Sequence, residues 1–473
     1  MLMDEFLRAA DEVCGAGFVV AGPAIAPRYL QPARYAAGQA AALVRPSTTA
    51  QVAALVKLCA RHELILVPQG AHTGLVQAGT PTDASMHVLL TTERLREVFE
   101  FDPLDRTLRV SAGYRLSEVN ERLAAHGLWF PIDLSADPSI GGMLAHNTGG
   151  TRMLRYGDVR ANTLALTAVL GEGQVLHLGR GLQKDNAGLA LQHLLVGSSG
   201  ALGLITEATL KLHPLPRQQA SALIAPASLE AVMPLYQRAM AGELAGMVSA
   251  FEGMSAAALQ AALHLRGDPG RLFGGQLPAY ALLVELSSEL PAASLDLHAL
   301  LQRWLECEFE AGAVVDAVLD ADDAVWALRH GISEGLREQG RVIGFDLSLP
   351  RRHFMRMREL AGAWLRAEFP QALVADFGHL GDGGMHCNLV WPKSAPSLDN
   401  EQMARLRSGI YAICADLGGS FSAEHGIGPS LQADYRALTE PAVLRLSGQV
   451  ESLFDPRQTL GLTSFGPVWK SVL

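Results

Sequence analysis

Apolar residues follow two rhythms along this chain. After Arg45-Pro46-Ser47, Thr48 and Gln51 have capping-box spacing, and Val52, Leu55, Val56 and Cys59 follow on one helical face. The stretch before them, residues 1–39, reads as a helix and an extended lead-in. Leu64-Ile65-Leu66-Val67 is a compact apolar run stopped by Pro68, the pattern of a buried strand. Further strands are expected at Met86–Leu90 and Leu108–Ala112, and Leu116, Val119 and Leu123 return to helical spacing. Leu164–Leu170 and Val175–Leu178, joined by Gly171-Glu172-Gly173, predict a hairpin; Val196–Leu212 predicts a glycine turn running into an alternating strand. The breaker-rich Leu212–Gln219 then leads into long helical patterns from Arg217. Helices and strands are mixed, so the class is α/β or α+β.

Composition narrows this. With 473 residues, 49% of them hydrophobic, the chain has ample core for two or three domains. A net charge of −10 argues against nucleic-acid binding. The five cysteines are widely spread and contain no CxxC pair, which predicts free thiols in a reducing, cytoplasm-like compartment. The N-terminus lacks the basic region of a signal peptide, and Gly15–Ala26 is too short and broken to span a bilayer. A soluble cytoplasmic protein is expected, with peripheral membrane docking compatible.

Candidate chemistry sits on glycine-rich turns. Three loops carry them: PQGAHTGL (Pro68–Leu75), SIGGMLAHNTGGTRMLRYGDV (Ser139–Val159) and VGSSGALGLITEATLKL (Val196–Leu212). Glycine lets backbone N–H groups approach a ligand and form anion-binding nests, although a single glycine-rich turn is mostly just a turn. Neither a strand–GxGxxG–helix nor a GxxxxGK[ST] sequence occurs, which speaks against a Rossmann domain or a P-loop. Further on, HLGDGGMHCNL (His379–Leu389) and AEHGIG (Ala423–Gly428) bring together histidines and a carboxylate able to hold a metal or move a proton. Taken one at a time, each is equally well a hydrogen-bonded strand histidine or a solvated acid.

Together these motifs, with LQKDNAGL (Leu182–Leu189), resemble the vanillyl-alcohol oxidase type flavoproteins, and among them the FAD-linked D-2-hydroxyacid dehydrogenases that act on D-lactate, glycolate or D-2-hydroxyglutarate. The resemblance runs over residues 40 to 430. It implies an α+β fold, with a two-subdomain FAD-binding domain and a cap domain built on an antiparallel sheet flanked by helices. The corresponding divisions are 1–39 (lead-in), 40–216 (FAD binding), 217–450 (substrate and metal) and 451–473 (a segment returning to the FAD domain).

By that resemblance, Pro68, Gln69, Gly70, Ala71, His72, Thr73, Gly74 and Leu75 wrap the FAD diphosphate. Gly141, Gly142, Asn147, Gly149 and Gly150 lie along the cofactor's centre, with Gly200, Gly203 and Ile205 near its other end. Ala71, His72, Gln77-Ala78, Met143 and His146 depart from residues frequent in relatives, but the glycines of the tightest turns remain. Some relatives link flavin covalently through a histidine in the first loop; for His72 a hydrogen-bonding role is the preferred expectation.

The resemblance also assigns the reaction. Arg329 and Ser333, in WALRHGISEGL, would lie on one helix face, and Asn388 would join them in binding the substrate carboxylate. A divalent metal held by His379, His386 and Glu424 would lower the pKa of the α-hydroxyl, His425 would take its proton, and the Cα hydrogen would pass to flavin N5. Zinc suits such ligands best, and manganese, iron or cobalt also fit. Asp382 is read as a turn residue bonded to its own backbone. Gly344 stands where hydroxyglutarate-specific relatives carry a lysine, which weakens the case for a second substrate carboxylate. The expected partners are a small 2-hydroxy acid and an electron acceptor (a quinone, an electron-transfer flavoprotein or a cytochrome), with a homodimer compatible. Alternatives left open are a metal-independent glycolate or D-lactate dehydrogenase, an oxygen-using oxidase of the same fold, a metal-dependent hydrolase or isomerase, and a non-catalytic subunit of a larger dehydrogenase.

Overall fold

A computed structural model describes residues 2–134, 136–267, 272–320 and 323–467. Of the expected C-terminal segment 451–473, residues 468–473 lie outside the described ones. The chain divides into two compact units: 1–149, 157–215 and 424–473 form the first, and 150–156 with 216–423 form the second.

In the first unit, four strands assemble in the order Val19–Ala21, Gln39–Val44, Thr82–Thr91, Ile65–Gln69. The last three are mutually parallel. The helix Thr49–Arg61 provides the crossover, and its buried Val52, Leu55, Val56 and Cys59 form the face expected from their spacing. Thr48 caps it by accepting from the Gln51 N–H at 3.1 Å. The Gln51 side chain reaches one residue further back than a capping box requires, accepting from Ser47 N–H at 2.7 Å. The C-terminal stretch extends this sheet, since Leu66 N–H donates to Thr459 O at 2.7 Å and Gly461 N–H to Leu66 O at 2.8 Å.

A second, antiparallel sheet of the same unit has the order Phe99–Asp102, Thr107–Ser111, Leu204–Lys211, Thr163–Val169, Val175–Leu178. Its last two strands are the predicted hairpin, paired from Leu166↔Leu178 to Val169↔Val175. Met143, Leu144, Leu166, Ile205 and Leu210 pack into the core beneath it.

The second unit is built on one seven-stranded sheet, in the order Val314–Leu319, Gln218–Pro226, Tyr280–Ser288, Val248–Ser255, Leu373–Gly378, Gly384–Pro392, Gly340–Ser348. Among the described residues its strands pair antiparallel. Helices cover it in two core clusters, one including Phe251, Phe345, Phe354 and Tyr411, the other Leu259, Trp326, Ile332 and Phe377. The central strands Val248–Ser255 and Tyr280–Ser288 are buried along their whole length. Such strands normally read as continuous apolar runs, yet each carries one glutamate, Glu252 and Glu285.

Candidate active site

The three glycine-bearing loops converge within the first unit. A Cβ on Gly70 would overlap Ser139 Oγ, one on Gly200 would lie 2.8 Å from Pro68 Cγ, and one on Gly197 would lie 3.2 Å from the Asn147 Cβ. Each loop therefore touches the other two. Main-chain bonds lock the last pair: Gly197 N–H donates to Leu144 O at 2.9 Å and Ser199 N–H to Ala145 O at 2.7 Å. Around this junction the backbone turns left-handed at His72 (φ 58°), Asn147 (φ 50°), Ser199 (φ 51°), Gly197 (φ 84°) and Gly200 (φ 80°). Left-handed non-glycine residues cluster where the backbone is held for a ligand, and such reversals aim successive N–H groups into a concavity. This cradle fits a long cofactor with a diphosphate at its centre.

The predicted cofactor residues do different jobs in it. Gly70, Ala71, His72, Thr73 and Leu75 are partly accessible and Gly74 is exposed, so this loop can face a ligand. Buried Gln69 braces its base, its amide donating to Tyr29 O at 2.9 Å and Gly79 O at 2.8 Å. Gly142 has only its cap Ser139 nearby. Gly141 abuts Ala112, Gly203 abuts Leu195 and Leu170, and Ile205 is a core residue. Gly149 and Gly150 (φ 88°) mark the point where the chain passes into the second unit. His72 sits 3.3 Å from Arg28 O through Nδ1 and 3.2 Å from Thr80 Oγ1 through Nε2, and burial lowers its pKa. Both ring nitrogens are thus engaged by the protein.

The AEHGIG stretch enters the first unit at Glu424. Ser199 Oγ donates to Ile427 O at 2.6 Å, and a Cβ on Gly428 would overlap Val76 O. These contacts draw the chain back to the cofactor loops well before residue 451. Burial and then the nearness of His425 push the His146 imidazole down to about 4, against a hydrogen bond to the His425 backbone. His425 therefore stands beside the loop junction.

In the second unit, His379 follows the Leu373–Gly378 strand and His386 lies on the Gly384–Pro392 strand. The turn between them closes on His379 O, which accepts from Gly383 and Gly384 N–H at 3.0 Å each, while Asp382 Oδ1 accepts from Gly384 N–H at 2.8 Å. Asp382 holds the turn, as its position predicts. The two imidazole centroids come to 5.2 Å at 80°. Across the sheet His386 is in register with buried Asp346, with Nδ1 3.6 Å from Oδ1. Asp346 Oδ2 accepts from Ala423 N–H at 3.0 Å. Glu424 is the next residue in the chain.

Arg329 and His379 share a partner that sequence reasoning missed. Glu252 accepts from Arg329 Nε at 2.7 Å on one oxygen and lies 2.7 Å from His379 Nδ1 on the other. All three are buried, Glu252 to 0% exposure. Burial raises the Glu252 pKa, but the charges of His379 and Arg329 outweigh it and hold the group at about 2. Arg329 also lies over the Phe377 ring at 4.7 Å. Ser333, on the same helix Ala324–Gln339, is exposed whereas Arg329 is buried. Asn388 is buried and in register with exposed Gly344. Glu252 and Asp346 were legible only as carboxylates inside apolar strands, FEGM and GFDL, a signal the glycine motifs overshadowed.

Residues 40–179 match the model of the FAD binding domain, and residues 215–461 match that of the FAD linked oxidases, C-terminal domain. The chain belongs to the FAD-linked oxidases. Among its relatives, the mitochondrial D-2-hydroxyglutarate dehydrogenase of Bos taurus is 34% identical over 95% of this chain and 82% of its own. The D-2-hydroxyglutarate dehydrogenase of Xanthomonas citri is 31% identical over 89% of this chain and 88% of its own. Two solved structures share the fold: p-cresol methylhydroxylase (TM-score 0.72, 14% identity, 96% of this chain and 95% of that one) and alkyldihydroxyacetonephosphate synthase (TM-score 0.71, 15% identity, 98% and 85%). The expected α+β flavoprotein fold is the one observed.

Proposed function

We propose that this protein oxidises a D-2-hydroxy acid to the 2-oxo acid, with a divalent cation assisting and a separate quinone, electron-transfer flavoprotein or cytochrome taking the electrons. The observation that carries the reading is the set of buried His379, Asp346 and Arg329 with partly buried His386 in the C-terminal family domain, in a chain whose relatives are named D-2-hydroxyglutarate dehydrogenases.

Bound FAD supplies the two-electron acceptor for the Cα hydrogen. Two imidazoles and a carboxylate suit zinc, and also manganese, iron or cobalt, as an ion that acidifies a hydroxyl. His379, His386 and Asp346 offer such donors, and Glu424 follows Ala423, whose N–H is fixed on Asp346. The remaining work falls on side chains. Arg329 supplies a guanidinium for the substrate carboxylate, Asn388 orients that group, and His425 accepts the hydroxyl proton. Gly344 leaves its strand without a cation beside Asn388, which favours acids whose distal end is uncharged.

A dye-reduction screen with D- and L-lactate, glycolate, D-malate and D-2-hydroxyglutarate, with and without chelator, tests this. D-enantiomers should be preferred and turnover should vanish on metal removal. Equal rates for both enantiomers, or indifference of verified metal-free protein to chelation, would sink the proposal.

A further inference from the structure

We propose that Glu252 is a positioning residue that ties the substrate-anchoring arginine to a metal-ligating histidine through one buried carboxylate; this rests on the function proposed above. Its two oxygens are divided, one 2.7 Å from Arg329 Nε and the other 2.7 Å from His379 Nδ1. With Nδ1 donating to a carboxylate, the His379 lone pair resides on Nε2, the nitrogen then able to ligate. With Nε tethered, the guanidinium's orientation is set before a substrate carboxylate arrives, and its other nitrogens remain the recognition edge. The shared carboxylate thus fixes the spacing between carboxylate anchor and ion.

A purely structural role is a poor explanation. Glu252 sits in a strand buried at every position, where a well-packed apolar side chain would avoid the cost of desolvating a charge. The same sheet carries a comparison. Glu285 is also buried mid-strand and bonded to Arg152 at 2.9 Å and Ser249 at 2.6 Å, but none of these partners is a candidate ligand or substrate anchor.

The test uses full-length, FAD-loaded protein and Zn2+. Competition against a chromophoric chelator should show Glu252→Gln binding zinc about 10–100-fold more weakly than wild type, with KM for the hydroxy acid rising more than kcat falls. Glu285→Gln should leave zinc affinity unchanged whatever it does to stability. Should Glu252→Gln fail to fold, ring 15N NMR of the wild type decides: His379, assigned with His379→Gln, should carry its proton on Nδ1, and zinc should shift Nε2. Unchanged zinc affinity in Glu252→Gln, or a wild-type His379 protonated on Nε2, overturns the positioning role alone. A wild type that takes up no divalent cation overturns the functional reading, and this role with it.

Discussion

The two units recognise chemistry in opposite ways. In the first, the cofactor cradle is made of backbone: left-handed turns at His72, Asn147, Ser199 and Gly200, held together by glycines that admit neighbouring loops. In the second, the candidate site is made of charged and ionisable side chains, with Glu252, Arg329, His379 and Asp346 buried and His386 partly buried, on or beside four adjacent strands and one helix. A backbone site tolerates changed side chains as long as φ/ψ and close approach survive. A buried charged site has no such freedom, because each group is the other's solvation.

Four experiments bear on this contrast. The largest effect is expected in the second unit, where Arg329→Met leaves Glu252 buried with half its compensation. Denaturant unfolding should show a loss of about 3–5 kcal/mol, and a loss under about 1 kcal/mol would mean the cluster is better solvated than its burial implies. Next, His425→Ala should slow flavin reduction by at least about a hundredfold in stopped-flow single turnovers while the protein stays yellow. Retained speed would remove His425 as the base.

Third, Gly200→Ala adds a side chain at φ 80° with its Cβ 2.8 Å from Pro68 Cγ. FAD affinity, read from flavin fluorescence, should fall by about tenfold, in line with strain of roughly 1–3 kcal/mol, whereas His72→Asn should change it little. The reverse order would place recognition in side chains after all. The smallest effect concerns pH. His87 Nδ1 accepts from Thr82 and Asp83 N–H at 3.0 and 3.2 Å, and burial lowers its pKa below the ordinary 6.5. Below pH 6.5 the unfolded chain takes up this proton more readily than the fold, so the stability is present above 6.5 and lost as pH falls. Thermal melts between pH 7.5 and 5 should show that decline, reduced in His87→Gln; an identical decline would assign it elsewhere.

Local features were legible from the sequence where the cause is local. The Val52, Leu55, Val56, Cys59 face, the Leu166–Leu178 hairpin and the Asp382 turn each depend on residues a few positions apart. Glu252 was not legible, because its partners Arg329 and His379 lie 77 and 127 positions away. Nor were the neighbours of Gly141 and Gly203, since a glycine held against Ala112 or Leu195 looks in sequence like one in an open turn. The second compact unit ends at Ala423, and the chain beyond it packs on Val76 and Ser199, contacts that no local pattern announces.

By itself the sequence determined the family, the cofactor class and the histidine-bearing turn, since these rest on short motifs whose backbone demands are local. Only the tertiary structure decided which carboxylates lie beside the candidate residues. Burying Glu252 or Asp346 is tolerable solely where distant strands deliver a cation, an imidazole or an N–H to each oxygen, and strand register, not sequence proximity, makes those deliveries.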